Sequence, residues 1–108
     1  MGYRADAGYQ AMSEALAKGL GVRAVVAASD ELALGCMAAA SDRGLAIPGD
    51  IAVVGFGGLA WGSFARPALT TVSLDADAMA RAVGEFFKGD ASAKRRVVPA
   101  NLVLRQSA

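Results

Sequence analysis

Two short apolar runs, Ala24-Val25-Val26-Ala27-Ala28 and Ile51-Ala52-Val53-Val54-Gly55-Phe56, flank one helix-length stretch, and this arrangement constrains the fold more than any other feature of the sequence. Continuous rather than alternating apolar runs are expected of strands covered on both faces. Between them, Ser29 or Asp30 can cap a helix running to about Arg43, closed by Gly44, and Ile47-Pro48-Gly49-Asp50 turns the chain into the second run. Strand, helix and strand at this spacing predict a parallel, right-handed βαβ crossover.

The flanking segments extend the pattern. Asp6 can cap a first helix to about Lys18, with Tyr9, Met12 and Leu16 on one face and Gly19 as its stop. From Gly57 to Ala68 periodicity dissolves around Trp61, so a long loop is expected directly off a strand's carboxyl end. Leu69 to Leu74 reads as a third strand. Asp75 or Asp77 can cap a third helix bearing Met79, Val83, Phe86 and Phe87, stopped by Gly89. Lys94, Arg95 and Arg96 form a polar connection, either a solvated turn or a phosphate clamp, before a last strand Asn101–Leu104 and a polar tail from Arg105. The fold class is therefore α/β, a parallel sheet flanked by helices.

Composition narrows the chemistry. Eleven Lys+Arg against ten Asp+Glu give a net charge of +1, too little to concentrate phosphates, so these residues are not expected to read DNA by themselves. With no His and one Cys, zinc sites, Ser-His-Asp and Cys-His catalysis and a disulfide framework all drop out, and neither a metal nor a cofactor is expected. Cys36 lies in a helical pattern without a basic neighbour in sequence and reads as a buried thiol rather than a redox site. No apolar run approaches the roughly 18 residues of a membrane span, and Met1 to Asp6 lacks the features of a signal peptide, so the expectation is a cytoplasmic protein that does not engage a membrane.

In an open parallel sheet, ligands bind beyond the carboxyl ends of the strands. Two segments fall there. Ser29-Asp30-Glu31 offers a hydroxyl, a carboxylate and a helix start; Gly57-Gly58-Leu59-Ala60-Trp61 offers bare backbone and an indole. Together they would suit a small polyhydroxylated ligand. Each residue also has a plain structural reading: helix capping for Ser29 and Asp30, loop packing for Trp61. An enzyme reading competes, since Gly55-Phe56-Gly57-Gly58-Leu59-Ala60 formally fits G-x-G-x-x-G/A with Asp75 at the distance of a ribose-binding acid. That fingerprint needs a helix opening among the glycines, and Gly62 and Pro67 follow instead.

Three motifs, Ala28-Ser29-Asp30-Glu31-Leu32-Ala33-Leu34-Gly35, Arg43 through Phe56, and Arg66-Pro67-Ala68-Leu69-Thr70-Thr71-Val72, occur in an order that resembles the carboxyl-terminal half of the effector-binding core of LacI/GalR-type transcriptional regulators. The resemblance runs from about Asp6 to Ser107, and the closing Leu102–Ser107 is similar to that family's final strand. It implies that residues 1–108 are the carboxyl-terminal portion of an effector-binding domain, an incomplete type I periplasmic-binding-protein-like lobe. The helix-turn-helix and the first half of the core are expected to lie outside it. It also implies a crossover to the second lobe at Leu69–Val72, packing of the Asp75–Phe87 helix there, and a return through Val97–Leu104.

Function follows as an expectation: no catalysis, binding of a sugar or sugar acid by Ser29, Asp30, Gly57, Gly58 and Trp61, and control of operator DNA through a headpiece elsewhere. The resemblance places Leu34, Met37, Ala38 and Ser41 at a homodimer contact; the alternative is that Leu34 and Met37 are core. The family commonly carries Asn where this chain has Ser29 and Asp where it has Gly57. Loss of that carboxylate, a variant similar to gluconate-type repressors, favours a sugar acid over a neutral sugar. A periplasmic sugar-binding protein of similar fold is the alternative from another class.

Overall fold

The computed structural model describes residues 4–89 and 95–108. Helix α1 (Ala5–Ala17), strand β1 (Ala24–Val26), helix α2 (Asp30–Asp42), strand β2 (Ala52–Gly57), a short 3-10 helix (Ala60–Phe64), strand β3 (Thr70–Leu74), helix α3 (Ala76–Phe87) and strand β4 (Ala100–Val103) follow in that order. The strands form one sheet in the order β1-β2-β3-β4. The first three run parallel, with Val25 beside Val53 and Gly55 beside Thr71. The last is antiparallel to β3, with Val72 beside Leu102.

Helices α1 and α2 cover one face of this sheet. Helix α2 is rich in small residues because it is squeezed from two sides. Gly35 receives the backbone of α1, where a Cβ would collide with the Ala5 carbonyl, and Gly8 of α1 has the same relation to the Leu32 carbonyl of α2. Ala33, Ala39 and Ala40 are fully or almost fully buried. Two apolar clusters result: Met12, Cys36, Ala39, Ala40 and Ile51 between the helices and the sheet, and Ala27, Ala33, Met37, Val53 and Leu69 nearer the strand ends. Polar ties cross the same seam, the Tyr9 hydroxyl donating to Asp42 at 2.6 Å and the Arg43 guanidinium to the Ser13 carbonyl at 3.1 Å.

Several sequence expectations are corrected. The first apolar run is not covered on both faces: β1 is a three-residue edge strand and Val26 is 82% exposed, because α1 and α2 lie on one side and no described element covers the other. Asp6 does not cap α1. The helix starts one residue earlier behind Arg4, and Asp6 sits in the first turn, where a negative charge suits the helix dipole and where it pairs with Arg4 at 3.5 Å. The Gly57–Ala68 loop contains the 3-10 helix, and the tail from Arg105 is a built-in strap rather than a loose end. Ser107 is fully buried, its hydroxyl donating to the Val53 carbonyl at 2.6 Å and accepting from the Thr70 amide at 2.8 Å, so that it bridges β2 and β3 where they splay.

Other expectations hold closely. Ser29 caps α2, accepting from the Leu32 amide at 3.2 Å, and Asp75 caps α3 through the Ala78 amide at 3.0 Å. Gly19, Gly44 and Gly89 follow their helices at positive φ. Of the basic triplet, Lys94 lies outside the described residues; Arg96 pairs with Glu85 at 2.7 Å, both exposed. The molecule is elongated, measuring 54 × 26 × 19 Å with a radius of gyration of 16.7 Å, against about 13 Å for a compact domain of this length. Helix α3, which buries none of its residues, accounts for part of that excess.

Candidate functional site

At the carboxyl ends of the parallel strands, the start of α2, the turn after β2 and the middle of β3 meet on one carboxylate. Asp30 is 1% exposed. Its Oδ2 accepts from the Leu59 amide at 2.7 Å and its Oδ1 from the Thr71 hydroxyl at 2.5 Å. The Thr71 oxygen in turn accepts from the Gly58 amide at 3.3 Å. Gly55 lies directly beneath, and a Cβ there would overlap Asp30 Oδ1. Glycine is thus what lets the carboxylate reach across β2. Burial of a charge is tolerable here because both oxygens are engaged and the helix start adds a favourable dipole.

The five residues expected to touch a ligand are brought to this end of the sheet in different roles. Asp30 is enclosed as a brace between the turn after β2 and β3. Ser29 is half-buried with its hydroxyl committed to the cap of α2. Gly57 has φ of 129°, a backbone region L residues rarely adopt, and a Cβ built on it would face Asp30 Oδ2 at 4.0 Å. Its being glycine therefore has a conformational reason. Gly58 is held against β3, where a Cβ would stand 2.8 Å from the Ser73 hydroxyl. Trp61, on the 3-10 helix, is 55% exposed, and Phe56 and Phe64 nearby in sequence are exposed as well. The loop is closed by the Leu69 amide donating to the Gly62 carbonyl at 2.8 Å.

Sequence reasoning missed Thr71, Ser73 and the tail. A buried threonine in an apolar strand is a weak signal by itself; the pair Thr70-Thr71 where valine would pack equally well is the trace that could have found them. Thr71 joins Asp30 to the turn after β2, while Thr70 accepts from the Arg105 amide at 2.9 Å and holds the tail.

The stripe Leu34, Met37, Ala38 and Ser41 lines a groove of about 290 Å³ with Ala65, Arg66 and Pro67 opposite. Met37 is only 5% exposed and belongs to the inner cluster, Leu34 is half-buried, and Ala38 and Ser41 are exposed. Core packing thus accounts for Met37, and the open part of the stripe is Ala38 and Ser41. Cys36 is buried, its thiol pushed up by that burial and directed at the Gly8 carbonyl at 3.5 Å, which suits an inert core cysteine.

The described residues after β2 do not form the strand-to-helix turn of a dinucleotide site. The residues after Gly57-Gly58 form a 3-10 helix of five residues instead of the long helix a pyrophosphate needs, and Asp75 is spent on capping α3. Among the described residues no three His, Cys, Asp or Glu side chains gather as metal ligands. No helix among them is long and apolar enough to cross a membrane.

Residues 2–108 match the periplasmic binding protein-like domain family. The chain is 37% identical over 79 residues to the transcriptional regulator GalR of Escherichia coli, a match covering 73% of this chain and 23% of that protein. Among solved structures it is similar to a LacI family transcriptional regulator from an Arthrobacter strain in complex with lactose, at 30% identity and a TM-score of 0.86, covering 96% of this chain and 41% of the other. The lac repressor dimer bound to operator and the anti-inducer ONPF is similar at 30% identity and a TM-score of 0.86, covering 96% and 38%. Against curated regulators such as GalR, the chain spans about a quarter to a third of the length.

Proposed function

The chain belongs to the LacI/GalR family of transcriptional regulators, within their periplasmic-binding-protein-like effector domain, and from that premise we propose that it forms one wall of a cleft in which a longer cytoplasmic regulator senses a small metabolite. Its relatives are regulators of transcription and not enzymes. The observation that carries the reading is the meeting of the α2 start, the Gly57–Leu59 turn and β3 on Asp30, with the exposed Trp61 following two residues after Leu59. That combination supplies a rigid polar backbone edge and an apolar plate, as recognition of a polyhydroxylated ligand requires.

The favoured ligand is a sugar acid of the gluconate type. Two features support it: Gly57 brings no carboxylate to the crevice, and both oxygens of Asp30 are engaged and buried. Position 57 thus adds no carboxylate to repel an anion, and the engaged Asp30 oxygens are not free to accept from a neutral sugar's hydroxyls. Binding would favour one arrangement of two lobes, and that arrangement would set operator affinity through a separate DNA-reading headpiece. The bare face of α3 and β4 would be covered by the remainder of the second lobe. The partly open stripe around Ala38 and Ser41 would meet its counterpart in a homodimer.

Calorimetric titration of the full-length regulator tests the ligand. Gluconate should bind more tightly than lactose, and Trp61→Ala should weaken gluconate binding about tenfold, the order of one aromatic contact. Tighter binding of lactose, or an unchanged affinity in Trp61→Ala, would contradict the assignment. Gly57→Asp is a poor probe of ligand charge, because it strains the backbone and places a second carboxylate near Asp30.

A further inference from the structure

Thr70 and Thr71 are adjacent and buried on β3, so their side chains leave opposite faces of the sheet. Burial alone would be served equally by valine, and a hydroxyl in such a place is unfavourable unless it is used. The Thr71 hydroxyl is used in both directions. It donates to Asp30 Oδ1 at 2.5 Å and accepts from the Gly58 amide at 3.3 Å, while the other oxygen of the same carboxylate accepts from the Leu59 amide at 2.7 Å. The carboxylate cannot turn freely, because Gly55 leaves it only the space of a missing Cβ. Two consecutive amides of the loop after β2 are therefore held by one side-chain pair, and Trp61 follows two residues later.

We infer that Thr71 is a positioning residue of the crevice: by orienting the Asp30 carboxylate and binding the Gly58 amide, it fixes the backbone from which Trp61 is presented to a ligand. The role rests on the reading of this crevice as the effector site. It is separable from general stability because its neighbour Thr70, equally buried, fastens the tail through the Arg105 amide and Ser107 instead.

Hydrogen exchange on the chain without ligand reads the positioning directly. Thr71→Val should accelerate exchange of the Gly58 and Leu59 amides about tenfold or more beyond the change at Cys36 to Ala40, whose buried amides report global stability. Thr71→Ser, which keeps the hydroxyl, should restore the original rates, and Thr70→Val should leave Leu59 as it was. Unchanged exchange at Leu59 in Thr71→Val, or equal acceleration in Thr70→Val, overturns the inference. If Thr71→Val fails to fold, Thr71→Ala decides in its place. It removes the hydroxyl that holds the Gly58 amide and the Asp30 carboxylate, so it must accelerate Gly58 or Leu59 for the inference to stand. Titration of the full-length regulator with gluconate completes the test: Thr71→Val should weaken binding about tenfold and Thr71→Ser should not. Loosened exchange with unchanged affinity would remove the positioning role. Absence of gluconate binding to the unmodified regulator would overturn the ligand assignment, leaving the exchange result to stand alone.

Discussion

Helices α2 and α3 are of nearly equal length, each is capped by a side chain and each carries one interior glycine, yet they sit in opposite circumstances. In α2 the glycine at 35 receives the backbone of α1, and seven of the thirteen residues are buried. In α3 the glycine at 84 has nothing near the place a Cβ would occupy, and none of the twelve residues is buried. Helix α3 nevertheless presents Met79, Val83, Phe86 and Phe87, all substantially exposed. An apolar stripe of that kind stabilises a helix only against a cover. Amphipathic patterning records what a segment is made to meet, whereas packing records what this chain supplies. The half bearing α1 and α2 completes its own core and holds Asp30 in place; α3 and β4 leave apolar side chains exposed.

The comparison breaks first at Gly35. Gly35→Ala should cost about 3 kcal/mol or more, since a methyl cannot enter without separating α1 from α2, and chemical denaturation would read the loss. Next comes Ser107→Ala, which leaves the Val53 carbonyl and the Thr70 amide without their partner in a buried seam and should cost about 2 kcal/mol. A tail that merely trailed from β4 would tolerate the change. At Gly84 the sign reverses: Gly84→Ala should raise helix stability by up to about 1 kcal/mol, because the added methyl meets open space. A matching loss there would show α3 to be covered after all.

The smallest effect is a matter of pH. Hydrogen bonding and charge from Asp42 raise the Tyr9 phenol above its usual value. A group raised in the folded state contributes stability that is complete below its unfolded pKa, near 10, and is lost as pH rises through the folded one. Unfolding midpoints should therefore fall more steeply in that alkaline range for the unmodified chain than for Tyr9→Phe.

Much of this architecture was legible because it is written in local signals. The caps at Ser29 and Asp75, the stops at Gly19, Gly44 and Gly89, and the apolar runs of β1 and β2 each depend on a few consecutive residues. What escaped depends on residues far apart in sequence. Asp30 looked like a cap or a ligand contact because its engagement by Leu59 and Thr71 arises only when the βαβ unit closes. Ser107 looked like tail for the same reason. The apolar run of β1 was read as two-sided because hydrophobicity does not state whether the second cover lies within the chain, and Val26 is bare. The family motifs pointed to Asp30 and Gly57 but not to their roles in the fold, which required knowing that Gly57 sits at positive φ and that Asp30 is enclosed.

We propose that one half of this chain is complete in itself and that the other is built to meet more of a larger effector domain. Hydrogen exchange of α2 and α3, compared between the 108-residue chain and the full-length regulator, tests it most directly. A twelve-residue helix without cover is marginal in water, so in the chain the α3 amides should exchange within about tenfold of unstructured peptide while the buried α2 amides slow with global stability. In the full-length regulator α3 should become protected to a degree comparable with α2. Equal protection of α3 in both proteins would contradict the claim.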